Sequence, residues 1–275
     1  MRINNNIAAY NAYRNTENTN VALGKSLEKL SSGYRINRAG DDAAGLVISQ
    51  KLRGQIGGLK VAVRNVQDGI SVVQTAEGAL GEVHSMLGRM RDLAVQAANQ
   101  GANDSGAVAA AQSEIDQLAD EINHIGAQTQ FGGIHLLDGS YSAKLFQVSA
   151  EAGDVVTVNV ADMQGAALGI DVIKTGGTSE LSINAGDAIS LIDAAIANVS
   201  TTRASLGAMQ NRFESMTNNL QVAIENLTAS ESRIRDADMA AEMVTFTKNQ
   251  ILTQAGTAML AQANQVPQSV LKLLQ

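Results

Sequence analysis

Residues 52–76 read LRGQIGGLKVAVRNVQDGISVVQTA, and their apolar side chains recur in alternating steps of four and three residues. The pattern continues to residue 94, with one extra step of three at Ala76 that shifts its phase. Its members are Leu52, Ile56, Leu59, Val63, Val66, Ile70, Val73, Ala76, Leu80, Val83, Leu87, Met90 and Ala94. A heptad pattern sustained for about six repeats predicts one long helix packed lengthwise against others.

Two more helices follow from the same spacing. The Gly- and Asn-containing stretch NQGANDSG at residues 99–106 ends the first helix, and apolar residues at the same spacing resume over residues 108–125. Because the connection is short, these two helices are expected to lie antiparallel. A third seam covers residues 189–227 and is long enough to match the first helix.

The segment between these helices, residues 131–186, has a different character. KLFQVSA at 144–150 and DVVTVNVADM at 154–163 alternate apolar and polar residues over strand lengths. This alternation predicts one or two β-hairpins, ending in the Gly/Ser/Thr-containing stretch at 174–187. The predicted fold class is therefore mainly α, a long antiparallel helical bundle or coiled-coil rod with a small β-hairpin element.

Both ends of the chain have a weaker helical pattern. Apolar residues mark an amphipathic segment over residues 3–30, interrupted by the polar run RNTENTN at 14–20. A second such segment covers residues 239–266, where alanine and glycine lie between the larger apolar residues. Isolated helices of this kind are marginal in water, so both ends are expected to need partners.

Composition excludes several classes of function. Aromatic residues make up 3% of the chain and cysteine is absent, so disulfides and zinc–thiolate sites are excluded. The net charge is −7, with an acidic middle and a basic start that lacks dense Lys/Arg clusters, so nucleic-acid binding is not expected. No run approaches the ~18 apolar residues of a membrane span, and the start lacks the apolar core of a secretory signal.

The stretch SSGYRINRAGDDAAGL at residues 31–46 has the residue types of a phosphate or metal site, or of a connector between two helices. No GK[ST] follows its glycines, which argues against a phosphate loop. The histidines His84, His124 and His135 lie on separate segments without an HExxH motif, which argues against a metal. We therefore expect no catalytic residue, no cofactor and no metal, and hence no enzyme.

Five stretches together resemble bacterial flagellin, the subunit of the flagellar filament. They are MRINNNIAA (1–9), KLSSGYRINRAGDDAAGLVIS (29–49), QDGISVVQTAEGAL (67–80), SESRIRDADMAAEM (230–243) and MLAQANQVPQSVLKLL (259–274). The resemblance implies terminal segments paired as a coiled coil in the filament core and inner segments that form a rod. Accordingly, residues 1–40 and 236–275 are assigned to the core domain, 41–186 to the rod helices with the hairpin region, and 187–235 to the last rod helix. The short central segment implies a form without large outer domains.

The resemblance also implies function, partners and location. It predicts a structural subunit that self-assembles into an extracellular filament for swimming, exported without a cleaved signal peptide by the flagellar secretion apparatus. An export chaperone and a filament cap are the expected partners. The alternatives are a hook–filament junction protein, which shares the terminal segments, and a soluble coiled-coil adaptor module.

Two groups of residues are carried over or inferred as contacts. GRMRDLAVQAAN at 88–99 resembles the rod segment recognised by the flagellin-sensing Toll-like receptor, at Arg89, Leu93 and, on the next helix, Glu114. Gly88 departs from the glutamine common in the family, and subunit packing alone is the alternative role.

In the connector, Gly33 is expected to end the first helix, Gly40 to permit the turn, and Asp41 and Asp42 to cap the next helix. Arg35 and Arg38 are expected to reach acidic groups on neighbouring subunits or on the adjacent C-terminal segment.

Overall fold

The computed structural model describes residues 6–99, 104–174 and 185–273. Within them lie seven helices and two antiparallel strand pairs. The helices are α1 (Ile7–Ser32), α2 (Ala43–Ala98), α3 (Ser105–Gln128), α4 (Gly165–Leu168), α5 (Asp171–Lys174), α6 (Ala185–Arg235) and α7 (Met239–Leu273). The strands are β1 (Gln130–Phe131), β2 (Ile134–His135), β3 (Lys144–Gln147) and β4 (Val155–Val158). The mainly α class with a small hairpin element is confirmed.

The chain divides into two compact units. The terminal unit holds the described residues up to Ile56 and those from Glu225 onward, and the central unit runs from Gly57 to Ile224. Both boundaries fall within helices, α2 and α6. Among the described residues, no helix combines the length and apolar character of a membrane span.

The seam of α2 in the central unit differs from the predicted one in its first turns. The buried positions at this spacing are Ala62, Val66, Gly69, Val73, Ala76, Leu80, Val83, Leu87, Met90, Ala94 and Ala97, and Val72 and Leu93 are buried beside them. The predicted positions Val63 and Ile70 are only partly buried. The seam therefore runs in steps of four and three without a phase shift, because the small residues Ala62 and Gly69 occupy positions that hydrophobicity alone does not mark.

The helices α2 and α6 lie antiparallel, as two ion pairs show. Arg91 of α2 pairs with Asp193 of α6 at 2.7 Å, while Glu77, two heptads earlier on α2, pairs with Arg203, later on α6, at 3.8 Å. Asp104 caps the start of α3, because its side chain accepts a hydrogen bond from the Ala107 amide at 2.8 Å. The three helices share one apolar core, as the heptad pattern predicts.

The second hairpin, β3 with β4, is anchored on the central helices by an aromatic pair. The rings of Phe146 on β3 and Phe213 on α6 meet edge to face, with their centroids 5.8 Å apart. Gly69 of α2 makes room for both, since a Cβ there would lie 3.0 Å from Phe213 and 3.4 Å from Phe146. The Asn65 side chain also donates to the Gln147 carbonyl at 3.1 Å. The strands predicted at 144–150 and 154–163 are thus confirmed in their first halves, at 144–147 and 155–158.

Sequence patterning did not predict the short helices α4 and α5. Asn123 of α3 accepts a hydrogen bond from the Gly165 amide at 2.7 Å and donates to the Asp171 carboxylate at 3.1 Å. The half-buried Asn123 therefore holds both short helices on α3. Most of the stretch predicted to end the β element, residues 175–184, lies outside the described residues.

Candidate assembly surface and connector

The terminal unit is built on the antiparallel pairing of α1 and α7. The Asn6 side chain donates to the Ala263 carbonyl at 2.7 Å, and Lys29 at the other end of α1 lies 3.9 Å from Glu242. In between, Gly256 approaches Thr16 so closely that a Cβ on the glycine would lie 2.6 Å from the threonine hydroxyl. The pairing of the two ends as a coiled coil is confirmed.

Small and polar side chains dominate the seam between α1 and α7. The more buried positions recur in steps of three and four on both helices. On α1 they are Ala9, Ala12, Thr16, Thr19, Leu23, Ser26 and Leu30, and on α7 they are Glu242, Phe246, Asn249, Thr253, Gly256, Leu260 and Ala263. Such residues let two helices approach closely but bury little apolar surface, so this pairing gains less from burial than a leucine-rich seam would.

The polar run at residues 14–20 does not interrupt α1, contrary to the sequence prediction. Helix α1 is continuous from Ile7 to Ser32. The hydroxyls of Thr16 and Thr19 donate to the carbonyls of Ala12 and Asn15, each at 2.8 Å, which satisfies them within the helix. These threonines lie on the seam rather than in a loop.

Leu23, Leu30, Phe246 and Leu260 are the large apolar residues in this seam, and eleven others on the described parts of both helices lie outside it. On α1 they are Ile7, Tyr10, Tyr13, Val21 and Leu27, and on α7 they are Met239, Met243, Val244, Ile251, Leu252 and Met259. Their exposed fractions range from 46% for Met239 and Leu252 to 72% for Tyr10. We call these eleven residues the apolar outer surface. Large apolar side chains exposed in this number on one pair of helices mark a contact site for protein or membrane.

The connector between α1 and α2 begins where the sequence predicts. Gly33 ends α1 in the left-handed conformation at φ 73°, and its amide donates to the Lys29 carbonyl at 2.8 Å. Gly40 lies in the turn, but its φ is not positive and a Cβ there would meet no neighbour within 4 Å. The turn contains a glycine at residue 40 without requiring one, so the expected role of Gly40 is wrong.

The acidic pair divides two tasks. Asp42 caps α2, since its carboxylate accepts a hydrogen bond from the Gly45 amide at 2.8 Å. Asp41 instead closes the connector turn, accepting from the amides of Arg38 at 3.0 Å and Asn37 at 3.1 Å. These backbone donors hold the pKa of Asp41 below its usual value. Capping by Asp42 is thus confirmed, whereas Asp41 bonds to the connector rather than to the helix.

The two connector arginines contact their own chain. The guanidinium of Arg35 donates to the Ile234 carbonyl at the end of α6, so it reaches the C-terminal segment through a carbonyl oxygen rather than a carboxylate. Arg38 pairs with Glu28 of α1 at 2.8 Å, with most of its side chain exposed. Contacts of either arginine with neighbouring subunits stay a prediction.

A cluster around Tyr34 joins the connector to the break between α6 and α7. The backbones bond in both directions, from the Arg35 amide to the Arg235 carbonyl at 2.7 Å and from the Ala237 amide to the Gly33 carbonyl at 2.9 Å. The guanidinium carbon of Arg235 lies 4.5 Å from the centroid of the Tyr34 ring. The buried Arg235 Nε has no hydrogen-bond partner, so the ring face is its electrostatic partner.

Arg53 of α2 completes the Tyr34 cluster. Its pKa lies above its usual value, chiefly because it donates a hydrogen bond to Tyr34 and also because it pairs with Glu231, 3.0 Å away. The sequence pattern marks Tyr34 only as one donor of the stretch at 31–46, and it does not mark Arg53, Glu231 or Arg235. One signal was available, a tyrosine beside an arginine in a chain with few aromatic residues.

Replacing Tyr34 with alanine is expected to loosen this joint. Tyr34→Ala removes the ring under Arg235 and the acceptor for Arg53, with a loss of roughly 1–2 kcal/mol in the local free energy of opening. Hydrogen exchange at the Arg35 and Ala237 amides should then accelerate. The control, Tyr34→Phe, keeps the ring, so its exchange rates at these amides should lie between those of Tyr34→Ala and the unaltered protein. Equal protection in Tyr34→Ala and the unaltered protein would contradict the role assigned to Tyr34.

The residues carried over as receptor contacts are divided between surface and core. Arg89 and Glu114 form an ion pair of 2.7 Å on the exposed faces of α2 and α3, and this pair raises the pKa of Arg89. Leu93 is 3% exposed and packs in the core beneath. The structure thus joins two of the three residues at the surface, and their role as a receptor site stays a prediction.

The described residues hold no group of three or more His, Asp or Glu side chains arranged to bind a metal ion. His84 and His124 lie on α2 and α3, and His135 lies in β2. His124 lies 3.8 Å from Glu121, one helical turn away.

Residues 31–46 contain a helix end, a helix cap and backbone hydrogen bonds to the break between α6 and α7, so they are a connector between two helices.

Comparison with known proteins identifies the family. Residues 3–142 match the model of the bacterial flagellin N-terminal helical region, and residues 189–274 match that of the bacterial flagellin C-terminal helical region. The chain is similar to flagellin of Halalkalibacterium halodurans, at 52% identity, and to flagellin of Bacillus subtilis, at 50%, each over 100% of both chains. It is 46% identical to a flagellar filament 33 kDa core protein of Treponema phagedenis, again over both entire chains.

A solved structure shows that the fold extends to a related class. A protein of Vibrio parahaemolyticus described as flagellar hook-associated is 16% identical, with a TM-score of 0.60 over 71% of this chain and 100% of that one. At this identity the likeness concerns the fold alone. The flagellin models and the full-length relatives together show that the chain belongs to the bacterial flagellin family.

Proposed function

We propose that the apolar outer surface of α1 and α7 is the face by which this subunit joins neighbouring copies in the filament. As a flagellin, the protein is a structural subunit of the extracellular flagellar filament that serves motility, and it is not an enzyme. The observation that carries the proposal is the arrangement of the terminal unit, in which small and polar residues predominate in the seam while eleven large apolar residues face outward.

The physical reason is the free energy of that exposed surface. Burying a side chain such as isoleucine or methionine contributes about 1.5–3 kcal/mol relative to leaving it in water. Within one chain the α1–α7 pair cannot bury these residues, because its seam is already occupied. A second copy can, and repeated contacts between unlike faces generate an open helical array rather than a closed ring.

We also propose the assignment of segments to filament layers. Residues 1–40 and 236–275 would form the core domain, with residues 41–186 and 187–235 forming the rod. The compact central unit, residues 57–224, lies within the proposed rod and has its own apolar core, which supports an independent rod, although residues 41–56 and 225–235 group with the terminal unit. The exposed apolar residues of α1 and α7 support the core assignment.

The alternatives account for the chain less well. A hook–filament junction protein would share the terminal helices, but the flagellin models and full-length flagellin relatives favour a filament subunit. A soluble adaptor would be expected to cover its apolar side chains, whereas α1 and α7 expose theirs. Electron microscopy of the purified protein distinguishes a filament subunit from both alternatives, since long filaments are expected only from the subunit.

Deleting residues 240–275 is expected to abolish polymerisation and to leave the central unit folded. The deletion removes all of α7 except Met239 and with it five of the eleven residues of the apolar outer surface, whereas the central core draws nothing from α7. Electron micrographs and far-UV circular dichroism of the truncated chain check both parts. Filaments formed by the truncated chain would contradict the assignment of α7 to assembly.

The same apolar outer surface bears on how the subunit is exported and protected before assembly. We infer passage through the flagellar secretion apparatus, with an export chaperone covering the C-terminal helix before assembly and a filament cap at the growing end. The exposed Met243, Val244, Ile251 and Leu252 of α7 support a chaperone, because they would otherwise remain in contact with water.

Receptor recognition is proposed at the Arg89–Glu114 pair. The pair presents charged groups at the surface while Leu93 supports the helix from below. A cell reporter assay comparing Arg89→Ala with Arg91→Ala tests it, since Arg91 is a matched control with its own 2.7 Å pair to Asp193. A loss of signal confined to Arg89→Ala is expected, and equal signals from both variants and the unaltered protein would remove the site.

A further inference from the structure

The methionines of this chain are unevenly distributed between the two units. Of the nine methionines, the eight at described positions include five in the central unit, and those are buried or partly buried. They are Met86, Met90, Met163, Met209 and Met216. The other three, Met239, Met243 and Met259, lie on α7 and are 46%, 50% and 64% exposed. All three belong to the apolar outer surface.

Exposed thioethers are the groups that a two-electron oxidant reaches in this chain. There is no cysteine to react first. A sulfur lone pair of methionine attacks one oxygen of hydrogen peroxide, and the O–O bond breaks. The sulfur is oxidised to a sulfoxide, and the other peroxide oxygen leaves as water. The product is a polar, chiral side chain in place of a flexible apolar one.

We propose that Met239, Met243 and Met259 form an oxidation-sensitive site that controls whether a subunit can enter the filament. The site takes a peroxide as its reactant, and this inference rests on the proposed function of the apolar outer surface. Sulfoxides at these positions place polar oxygens where assembly requires apolar side chains to lose water, at an unfavourable desolvation cost. Assembled subunits bury the same sulfurs and are protected.

The surroundings of Met243 show why a single oxygen matters there. Met243 lines one apolar groove of α7 together with Val244, Ile251 and Leu252. Thr247 and Lys248 also line that groove, and the Thr247 hydroxyl is already engaged, because it donates to the Met243 carbonyl at 2.8 Å. A sulfoxide oxygen in the groove, if buried by a neighbouring copy without a donor, would lack the hydrogen bonds that it has in water.

The test uses the purified full chain and hydrogen peroxide. Subunits are treated, the peroxide is removed with catalase, and sulfoxides are located by peptide mass spectrometry. Polymerisation is then followed by light scattering and electron microscopy. We expect sulfoxides at the three α7 positions first and a rise of about tenfold or more in the critical concentration. Reduction with the two methionine sulfoxide reductases should restore the original value.

Two triple variants and a sample oxidised after assembly, instead of before it, serve as controls. Each protein is compared with its own untreated sample, so only the ratio of critical concentrations counts. The triple variant Met239→Leu, Met243→Leu, Met259→Leu should give a ratio near one, while Met86→Leu, Met209→Leu, Met216→Leu should respond like the unaltered protein. Filaments treated after assembly should resist oxidation at the three positions.

The outcomes separate the inference from the function on which it rests. If untreated subunits form no filaments, the proposed function fails and the inference fails with it. If untreated subunits polymerise and fully oxidised ones do so at the same critical concentration, only the inference is overturned. Oxidation of the three methionines at equal rates in subunits and filaments would also overturn it.

Discussion

Replacing Ile251 with aspartate is expected to stop filament formation at concentrations where the unaltered protein polymerises fully. Ile251 lies in the middle of the outer face of α7 and is 58% exposed in the single chain. The substitution removes an apolar contact and buries a carboxylate, which together cost roughly 3 kcal/mol per contact and raise the critical concentration about 100-fold. Light scattering over a concentration series measures the shift.

Two controls show whether the effect arises at the contact between copies. Ile251→Leu keeps the apolar volume, so its critical concentration should change less than about tenfold. The unfolding of the central unit in urea should be the same in both variants, because Ile251 lies outside its core. Normal polymerisation of Ile251→Asp would show that this face of α7 stays in contact with water in the filament.

Replacing Phe213 with alanine is expected to lower the free energy of unfolding of the central unit by about 3–5 kcal/mol. Phe213 is fully buried, meets the ring of Phe146, and packs against Gly69 of α2. Alanine would leave a cavity between α2, α6 and the second hairpin at once. Urea unfolding followed by far-UV circular dichroism measures the change.

Phe131 offers a matched control for the same chemical change. It lies on β1 and is 36% exposed, so Phe131→Ala should cost less than about 1 kcal/mol. If Phe213→Ala and Phe131→Ala lowered the free energy of unfolding equally, the edge-to-face pair would not be the anchor of the hairpin. Hydrogen exchange in β3 and β4 would then identify where stability was lost.

The central helices could be predicted from sequence because their seam combines long apolar runs with constant spacing. Leu80, Val83, Leu87 and Met90 all proved to be fully buried. Ala62 and Gly69 could not be placed, because a glycine contributes no hydrophobic signal while its missing side chain admits Phe213 and Phe146. The apparent phase shift in the sequence reflects large residues beside the seam.

The connector shows a similar limit for polar residues. Gly33 and Asp42 were predictable because helix ends have local rules for left-handed glycines and side-chain caps. The Tyr34 cluster was not, since its members lie at residues 34, 53, 231 and 235 and meet only through the fold.

The sequence by itself determined the family, the helical class, the helix ends at Gly33 and near residue 99, and the absence of cysteine chemistry. Only the tertiary structure decided which face of α1 meets α7. The two helices meet along faces rich in small and polar residues, where Gly256 approaches Thr16. Periodicity marks an apolar stripe but does not show what covers it. How closely two helices approach depends on the size of their side chains, and how deeply a residue is buried depends on the element packed against it. The faces of α1 and α7 that carry Tyr10 and Ile251 therefore remain exposed, available for contacts that one chain cannot make alone.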